Sequence, residues 1–230
     1  MTKGIRKMAN STDKRIEYIR IATRLIEEEG IDALSIRRVA KEAGCTSAVL
    51  YRHFQNKEHL LMLASVKFLQ PYIQEFMVQS TRTDITSIQM DLKLWKVFIT
   101  EAFNNKPYYE MLFFSDQKDL ISECVYEYYQ LFPEEQKKFD GFTASIILSN
   151  NLEERELIRL RRAANAGLIT LENAALLSRL STAVFNGIFM QFSSSDLDIT
   201  SSRMLAEECY HLIYELFRKF VNPGTSLDIE

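Results

Sequence analysis

Glycine, proline and cysteine are all scarce in this chain. Its 230 residues include seven Gly, four Pro and three Cys. Tight turns and β-hairpins depend on Gly and Pro, so their scarcity argues against an all-β fold. The closest two glycines are 14 positions apart, which excludes the common glycine-rich phosphate loops. The cysteines, at positions 45, 124 and 209, form no close pair, so we expect neither a disulfide scaffold nor a zinc knuckle.

Long apolar runs are missing as well. No run approaches the roughly 18 residues that a membrane-spanning helix needs. The opening stretch MTKGIRKMANST contains no apolar segment of the kind found in a signal peptide. We therefore expect a cytoplasmic protein with no membrane partner.

The net charge of −3 is unevenly distributed along the chain. Residues 1–65 carry 12 basic and 8 acidic side chains, a balance of +4, whereas residues 66–230 carry 16 and 23, a balance of −7. This asymmetry favours a head that faces nucleic acid on an acidic body. A solvated basic surface without a partner is the alternative that charge alone leaves open.

Apolar residues recur at three-to-four spacing through most of the sequence, which is typical of amphipathic helices. The pattern predicts a first helix over 12–29, a second over 36–43 that Ser35 caps, and a third over 47–54 that Thr46 caps. A fourth helix begins near Lys57, and Pro71 should kink or end it. Further helices are predicted over about 84–104, 152–164, 171–192 and 201–221, with shorter ones after 107 and across 116–131. The stretch 134–150 is either helical or partly extended.

The expected fold is therefore all-α. It has an N-terminal three-helix head, which we place at residues 1–62, and a C-terminal helical bundle, which we place at 63–230.

The segment SIRRVAKEAGCTSAVLYRHF, residues 35–54, has the form of a helix-turn-helix. Gly44 can adopt the backbone angle that this tight turn needs. The second helix of the motif presents Ser47, Ala48, Tyr51 and Arg52 outward, where they can reach base edges or phosphates. A helix–glycine–helix pattern also occurs in bundles that bind no DNA.

The full amino-acid sequence of this region is more specific than the helix–glycine–helix pattern alone. From residue 12 to about residue 61 the sequence resembles the TetR (tetracycline-repressor-like) family of bacterial transcriptional regulators. The segments LSIRRVAKEAG and LYRHFQNKEHLL carry this resemblance. It implies a helix-turn-helix DNA-binding domain at residues 1–62 and a C-terminal ligand-binding and dimerisation bundle, the effector-binding and dimerisation domain, at 63–230. It also implies a homodimer that binds a palindromic operator in double-stranded DNA, represses transcription, and is released by a small-molecule effector. It implies no cofactor and no catalytic or metal site.

The resemblance also implies roles for individual positions. Arg37 corresponds to a residue that reaches a base or a phosphate, and Tyr51 to an aromatic residue that meets phosphate. The remaining positions with implied DNA contacts are Thr46, Ser47, Ala48, Val49, His53 and Lys57. Many family members have Lys-Gly-Thr where this chain has Ser-Ala-Val, so base reading here should depend on contacts with thymine methyls and on DNA shape.

Aromatic residues are concentrated in the middle of the chain, where 13 of 26 lie within residues 95–142. A well-packed core and a ligand cavity both explain such a cluster, and the resemblance favours a chamber for an apolar or aromatic effector. An amphipathic or cationic compound is a further option, because aromatic faces attract cations. The candidate effector-binding residues are Trp95, Phe98, Tyr108, Tyr109, Phe113, Tyr126 and Tyr129.

The last two predicted helices each carry an apolar face, which predicts either packing within one chain or a four-helix dimer interface as in the resembling family. A two-fold dimer would place two recognition helices about 34 Å apart. The candidate interface residues are Leu177, Leu180, Val184, Gly187, Ile188, Leu205, Leu212 and Leu216.

Two other functions compete with this interpretation. The spacing Glu208-x-x-His211 is used in helical di-iron enzymes, but only one copy is present and such sites need two. The second competitor is a DNA-binding regulator that a protein partner controls, or that needs no signal.

Overall fold

The structure is a computed structural model that describes residues 2–135, 141–149, 151–192 and 198–228, with side chains from residue 12 onward. The described residues form twelve α-helices, with short 3-10 turns at Ile31–Ala33, Val66–Leu69 and Lys118–Leu120. The helices are α1 (Thr2–Glu29), α2 (Ile36–Glu42), α3 (Ser47–Leu50), α4 (Lys57–Ser65), α5 (Gln70–Ser80), α6 (Ser87–Asn104), α7 (Lys106–Phe114), α8 (Ile121–Leu131), α9 (Gly141–Ile147), α10 (Leu152–Asn165), α11 (Leu171–Phe189) and α12 (Ile199–Phe220). The prediction of an all-α fold is confirmed.

The structure moves two predicted boundaries and resolves part of one ambiguous stretch. Helix α1 begins at Thr2, ten residues before the predicted start. Helix α3 ends at Leu50 because the amides of Arg52 and His53 bond three residues back, at 3.1 and 2.8 Å, and tighten the chain into turns. Part of the ambiguous stretch 134–150 is helical, as α9, whereas residues 136–140 and 150 lie outside the described residues.

Pro71 interrupts the long fourth helix, as predicted. Helix α4 ends at Ser65, a 3-10 turn follows, and α5 starts at Gln70 with Pro71 in its first turn. The first-turn amides of a helix have no partner within the helix, so a proline costs nothing there.

The chain divides into two compact units. The head unit contains the described residues up to 67 together with 107–135, and the body unit contains 68–106 and the described residues from 141 onward. A boundary between functional domains at residues 62 and 63 stays a prediction.

The head unit is built around α1, which packs on α2 and α4, while α8 packs on α4. Its core holds Ile19 and Ile26 of α1, Val39 of α2, Leu50 of α3 and Leu60 of α4, each fully buried. These positions are the inward faces that the three-to-four spacing predicts.

The body unit is centred on α6, which packs against α5, α10 and α12, while α11 packs on α10 and α12. Its core is rich in aromatic rings. The Phe98 and Phe185 centroids are 5.2 Å apart, and Phe185 stacks on Phe189 at 5.1 Å. Ordinary core packing, the less functional of the two interpretations, thus accounts for the buried cluster members of this unit, Trp95, Phe98 and Phe103.

Candidate nucleic-acid interface

The turn between α2 and α3 is set by local chemistry. The Ser35 hydroxyl caps α2 by accepting a hydrogen bond from the Arg38 amide at 3.2 Å. Gly44 has φ +63°, a left-handed conformation that costs an L-residue about 1–2 kcal/mol. The Cys45 amide then donates to the Ala40 carbonyl at 2.9 Å and closes the end of α2. The sequence therefore fixes where α3 begins.

Helix α3 is anchored to α1 by its inner side. Leu50 and Phe54 are fully buried. The Tyr18 ring meets the His53 ring edge-on at 5.3 Å, and the Arg15 guanidinium lies 5.4 Å from the centre of the Phe54 ring. These contacts hold the short helix rigidly enough to present its outer side.

The outer side of the motif is accessible. Tyr51 is 56% exposed, an unusual exposure for a large aromatic side chain. The other predicted DNA-contact residues are exposed (Arg37, Thr46, Ala48, Arg52) or half-buried (Ser47, Val49, His53, Lys57). All nine side chains are therefore at least partly accessible to solvent within residues 37–57.

Thr46 does not play the predicted capping role. It occupies the N-cap position of α3, but its side chain makes no capping hydrogen bond. The hydroxyl therefore remains on the exposed surface and does not support the helix.

The basic side chains around the motif differ in how available they are to bind a DNA phosphate. Arg38 is paired with Glu29, and the Arg24 guanidinium bonds Glu42 at 2.9 Å. Burial, aided by the positive charges of Arg15 and Arg52, lowers the pKa of His53. His53 is therefore neutral at physiological pH, so in the free protein it offers phosphate a hydrogen bond and no charge.

The turn after α3 is tied to α4 and α8 by a set of contacts that sequence reasoning missed. The Asn56 side chain caps α4 by accepting from the His59 amide at 2.7 Å, and the Gln55 amide donates to His59 Nδ1 at 3.4 Å. The other ring nitrogen, Nε2, lies 3.3 Å from Glu127 Oε2, and Arg15 pairs with the same carboxylate. His59 and Glu127 are 68 positions apart, so no local pattern signals the pair.

The candidate effector-binding residues fall in both units. Trp95 and Phe98 are buried neighbours in the body unit, with centroids 6.0 Å apart. In the head unit Tyr109 and Phe113 are 5.9 Å apart, Tyr129 is buried, and Tyr108 donates to the Ile26 carbonyl at 3.2 Å. Tyr126 is 59% exposed, which contradicts the expectation that it lines a chamber.

The candidate dimer residues lie on one face of α11 and α12, with one exception. Leu212 is 42% exposed, Gly187 is exposed, and Leu180, Val184, Ile188, Leu205 and Leu216 are half-buried. Leu177 is fully buried within its own chain and is not available to a partner. Its neighbour Leu176, 44% exposed, lies on the outer stripe in its place.

A buried ionic network in the body unit was also missed. Helix α10 is rich in charged residues, yet its Arg155, Glu156 and Arg159 are all buried. Arg159 pairs with Glu156 and with Asp91 of α6, and its Nη1 lies 3.3 Å from the Tyr72 hydroxyl. The apolar spacing over residues 152–164 predicts the helix correctly, but it does not show which side of the helix faces the core.

The described part of the chain holds neither a candidate membrane span nor a cluster of metal-ligating side chains. None of its helices has the length and apolarity required to cross a membrane. No three His, Cys, Asp or Glu side chains come together there as metal ligands would. Glu208 and His211 are both exposed on α12.

Comparison with known proteins identifies the head. The model of the family described as bacterial regulatory proteins, tetR family, matches residues 19–62. An HTH-type transcriptional regulator of Staphylococcus aureus strain MRSA252 is 30% identical over 157 residues, which are 63% of this chain and 80% of that protein. Its counterpart in strain RF122 / ET3-1 is 29% identical over 158 residues, with 64% and 80% covered.

Solved structures extend the likeness to the whole fold. The regulator RolR, crystallised with resorcinol, has a TM-score of 0.57 at 12% identity, over 96% of this chain and 100% of that one. A tetR-family regulator from Mesorhizobium loti has a TM-score of 0.53 at 15% identity, over 92% and 98%. With the helix-turn-helix at residues 35–54 and an all-helical body, the chain belongs to the TetR family of DNA-binding transcriptional regulators.

Proposed function

We propose that the protein is a ligand-responsive repressor that binds a palindromic operator as a homodimer. The observation that carries this proposal is the exposed outer side of α3, which stands on buried Leu50 and Phe54 in a chain of this family. Occupation of a promoter by such a dimer would block transcription.

In this proposal α3 enters the major groove. Ser47, Ala48 and Val49 face base edges, where Ala48 and Val49 favour thymine methyls because they cannot hydrogen-bond. The remaining contacts fix the protein on the DNA backbone through a hydroxyl, a cationic side chain or, at His53, a neutral imidazole N–H. They come from Arg37, Thr46, Tyr51, Arg52, His53 and Lys57.

The apolar stripe on α11 and α12 supports a two-fold dimer. An exposed apolar face rimmed by polar residues marks an interaction site. Small residues at Ala183 and Gly187 would let two copies of α11 approach closely. A two-fold axis through this face pairs each patch with itself and sets two recognition helices against successive major grooves.

The aromatic core of the body unit supports an apolar or aromatic effector. RolR, which was crystallised with resorcinol, shares this fold. We infer by analogy that a small ring compound binds the body unit of this protein. The effector would favour a state with weaker operator affinity, and the break at Pro71 is where we expect the chain to bend.

A regulator that needs no small molecule is the second candidate. It is favoured by the size of the cavity among Tyr72, Trp95 and Phe98, about 10 Å³, which is room for one water molecule.

The test is operator binding with and without compounds. Fluorescence anisotropy at fixed salt, on DNA from the protein's own promoter region, gives the affinity of the dimer. A lipophilic or aromatic compound that weakens it supports the ligand-responsive repressor. Unchanged affinity across the whole panel, with specific DNA binding intact, supports the second candidate.

A further inference from the structure

A small cavity in the body unit has an unusual lining. It lies between α5, α6 and α10 and is formed by Tyr72, Trp95, Phe98, Leu152, Arg155 and Arg159. Phe98 and Leu152 provide apolar surface. The four other side chains all carry N–H or O–H groups, and none of the lining side chains is a carboxylate.

One of these donors lies beside a carboxyl group without reaching full hydrogen-bond geometry. Trp95 is only 2% exposed, and its indole N–H interacts with the Glu156 carboxyl, where it partly offsets the rise in pKa that burial causes. Among the described residues, neither the indole N–H nor Glu156 Oε1 meets a partner within hydrogen-bond geometry. A buried donor left without an acceptor costs about 1–3 kcal/mol, so an acceptor that enters the cavity would recover this cost.

The other donors line the same space and are held by acceptors of the protein. Arg155 donates to the Ile147 carbonyl at 3.0 Å, and Arg159 donates to the Tyr72 hydroxyl at 3.3 Å and pairs with Asp91 and Glu156. Burial raises the pKa of Tyr72, so its hydroxyl stays protonated and can donate in turn. Two guanidiniums, an indole N–H and a phenol together complement a compact group of oxygen acceptors.

We propose that this cavity binds the acidic head of a small aromatic carboxylate, with the ring held among Tyr72, Trp95 and Phe98. This inference rests on the proposed ligand-responsive function and names the chemical class of its effector. It also replaces the cationic option that the aromatic cluster suggested, because the polar lining consists of N–H and O–H donors, and an ammonium ion has no acceptor to offer them.

The present size of the cavity makes binding a conformational event. Room for one water molecule does not admit a ring, so the ligand must part α10 from α5 and α6. Leu152, half-buried at the first position of α10, is the lining residue best placed to move. Binding energy is thereby coupled to the position of α10.

The experiment uses the full chain and its single tryptophan, which lines the cavity and so reports on it directly. Benzoate, phenylacetate and 1-naphthoate are titrated to millimolar concentration at neutral pH, beside their neutral amides and benzylamine. We expect a saturable change in Trp95 emission with at least one acid, and none with its amide or with benzylamine.

Variants locate the binding. In Arg155→Met the affinity for the responding acid, measured by calorimetry, should fall at least about tenfold, since a hydrogen bond to a charged group is lost. Arg161→Met, on the exposed side of the same helix, is the matched control and should bind normally. Trp95→Phe keeps the ring, removes the N–H, and should also weaken binding if Arg155→Met fails to fold.

The outcomes separate the two proposals. No response to any of the three acids, or equal binding of an amide or of benzylamine, overturns the carboxylate inference and leaves an aromatic effector possible. An acid that binds at Trp95 without changing operator affinity upholds the inference and contradicts the proposed ligand-responsive function.

Discussion

Nε2 of His59 on α4 lies 3.3 Å from Oε2 of Glu127 on α8, and Arg15 of α1 pairs with the same carboxylate. The half-buried Glu127 side chain therefore joins α1, α4 and α8 of the head unit. Because His59 also holds the turn after α3 through the Gln55 amide, this contact supports the position of the recognition helix.

Glu127→Gln should lower the free energy of unfolding by about 1–2 kcal/mol, between the values for exposed and buried ion pairs. The neutral amide keeps the shape but loses the charge that Arg15 faces. Urea unfolding measures the effect. Glu123→Gln, an exposed position one turn earlier on α8, is the control, and equal stability of the two variants would show that the pair contributes nothing.

Arg52→Ala should weaken operator binding and reduce the slope of log affinity against log salt by about one phosphate contact. The guanidinium is exposed beside Tyr51 on the outer side of the motif. Lys118→Ala removes an exposed cation from another part of the head unit and should leave the slope unchanged. Anisotropy over a salt series gives both values, and identical slopes for the two variants would remove Arg52 from the interface.

Leu176→Glu should convert the dimer to monomers, because it buries two charges at the two-fold face of α11. Sedimentation velocity at micromolar protein reports the state. Val78→Glu places the same charge on an exposed apolar position of α5 and should remain dimeric. A dimeric Leu176→Glu protein would mean that the subunits meet elsewhere.

Glu156→Gln should change how stability depends on pH. Burial and the neighbouring Asp91 raise the pKa of Glu156 to about 8, from 4.5. Between these values the folded protein holds a proton that the unfolded chain releases, so stability falls as pH rises through this window. The glutamine variant cannot lose that proton.

As the pH rises from 4.5 to about 8, we therefore expect the free energy of unfolding of Glu156→Gln to increase relative to that of the wild-type protein. The expected increase is about 1 kcal/mol or more. Urea unfolding at several pH values tests this. Parallel profiles for the two proteins would show that Glu156 is already ionised in the fold.

The sequence predicted the head well because its signals are local. Ser35, Gly44 and the buried Leu50 and Phe54 each act within a few residues, and the structure places them as the spacing implies. The predicted end of α3 at residue 54 was wrong, because the tight hydrogen bonds that end the helix at Leu50 depend on how residues 51–54 pack on α1.

The body was predicted less completely, since its contacts join distant segments. Periodicity located α10 but not the direction in which Arg159 points, which depends on Asp91 of α6, 68 positions away. In the same way Leu177 and Leu176 are adjacent, and only packing decides which faces outward. Tyr126 shows the converse error, because local aromatic density does not report burial.

The central claim is that the outer side of α3 reads a palindromic operator. The most direct measurement is a selection of binding sites from random double-stranded DNA at fixed salt, run in parallel with the wild-type protein and with Ala48→Ser and Val49→Ala. The account predicts an inverted repeat for all three, with base preferences altered only within the half-site that α3 faces. Recovery of no inverted repeat by the wild-type protein, or identical preferences for all three, would contradict it.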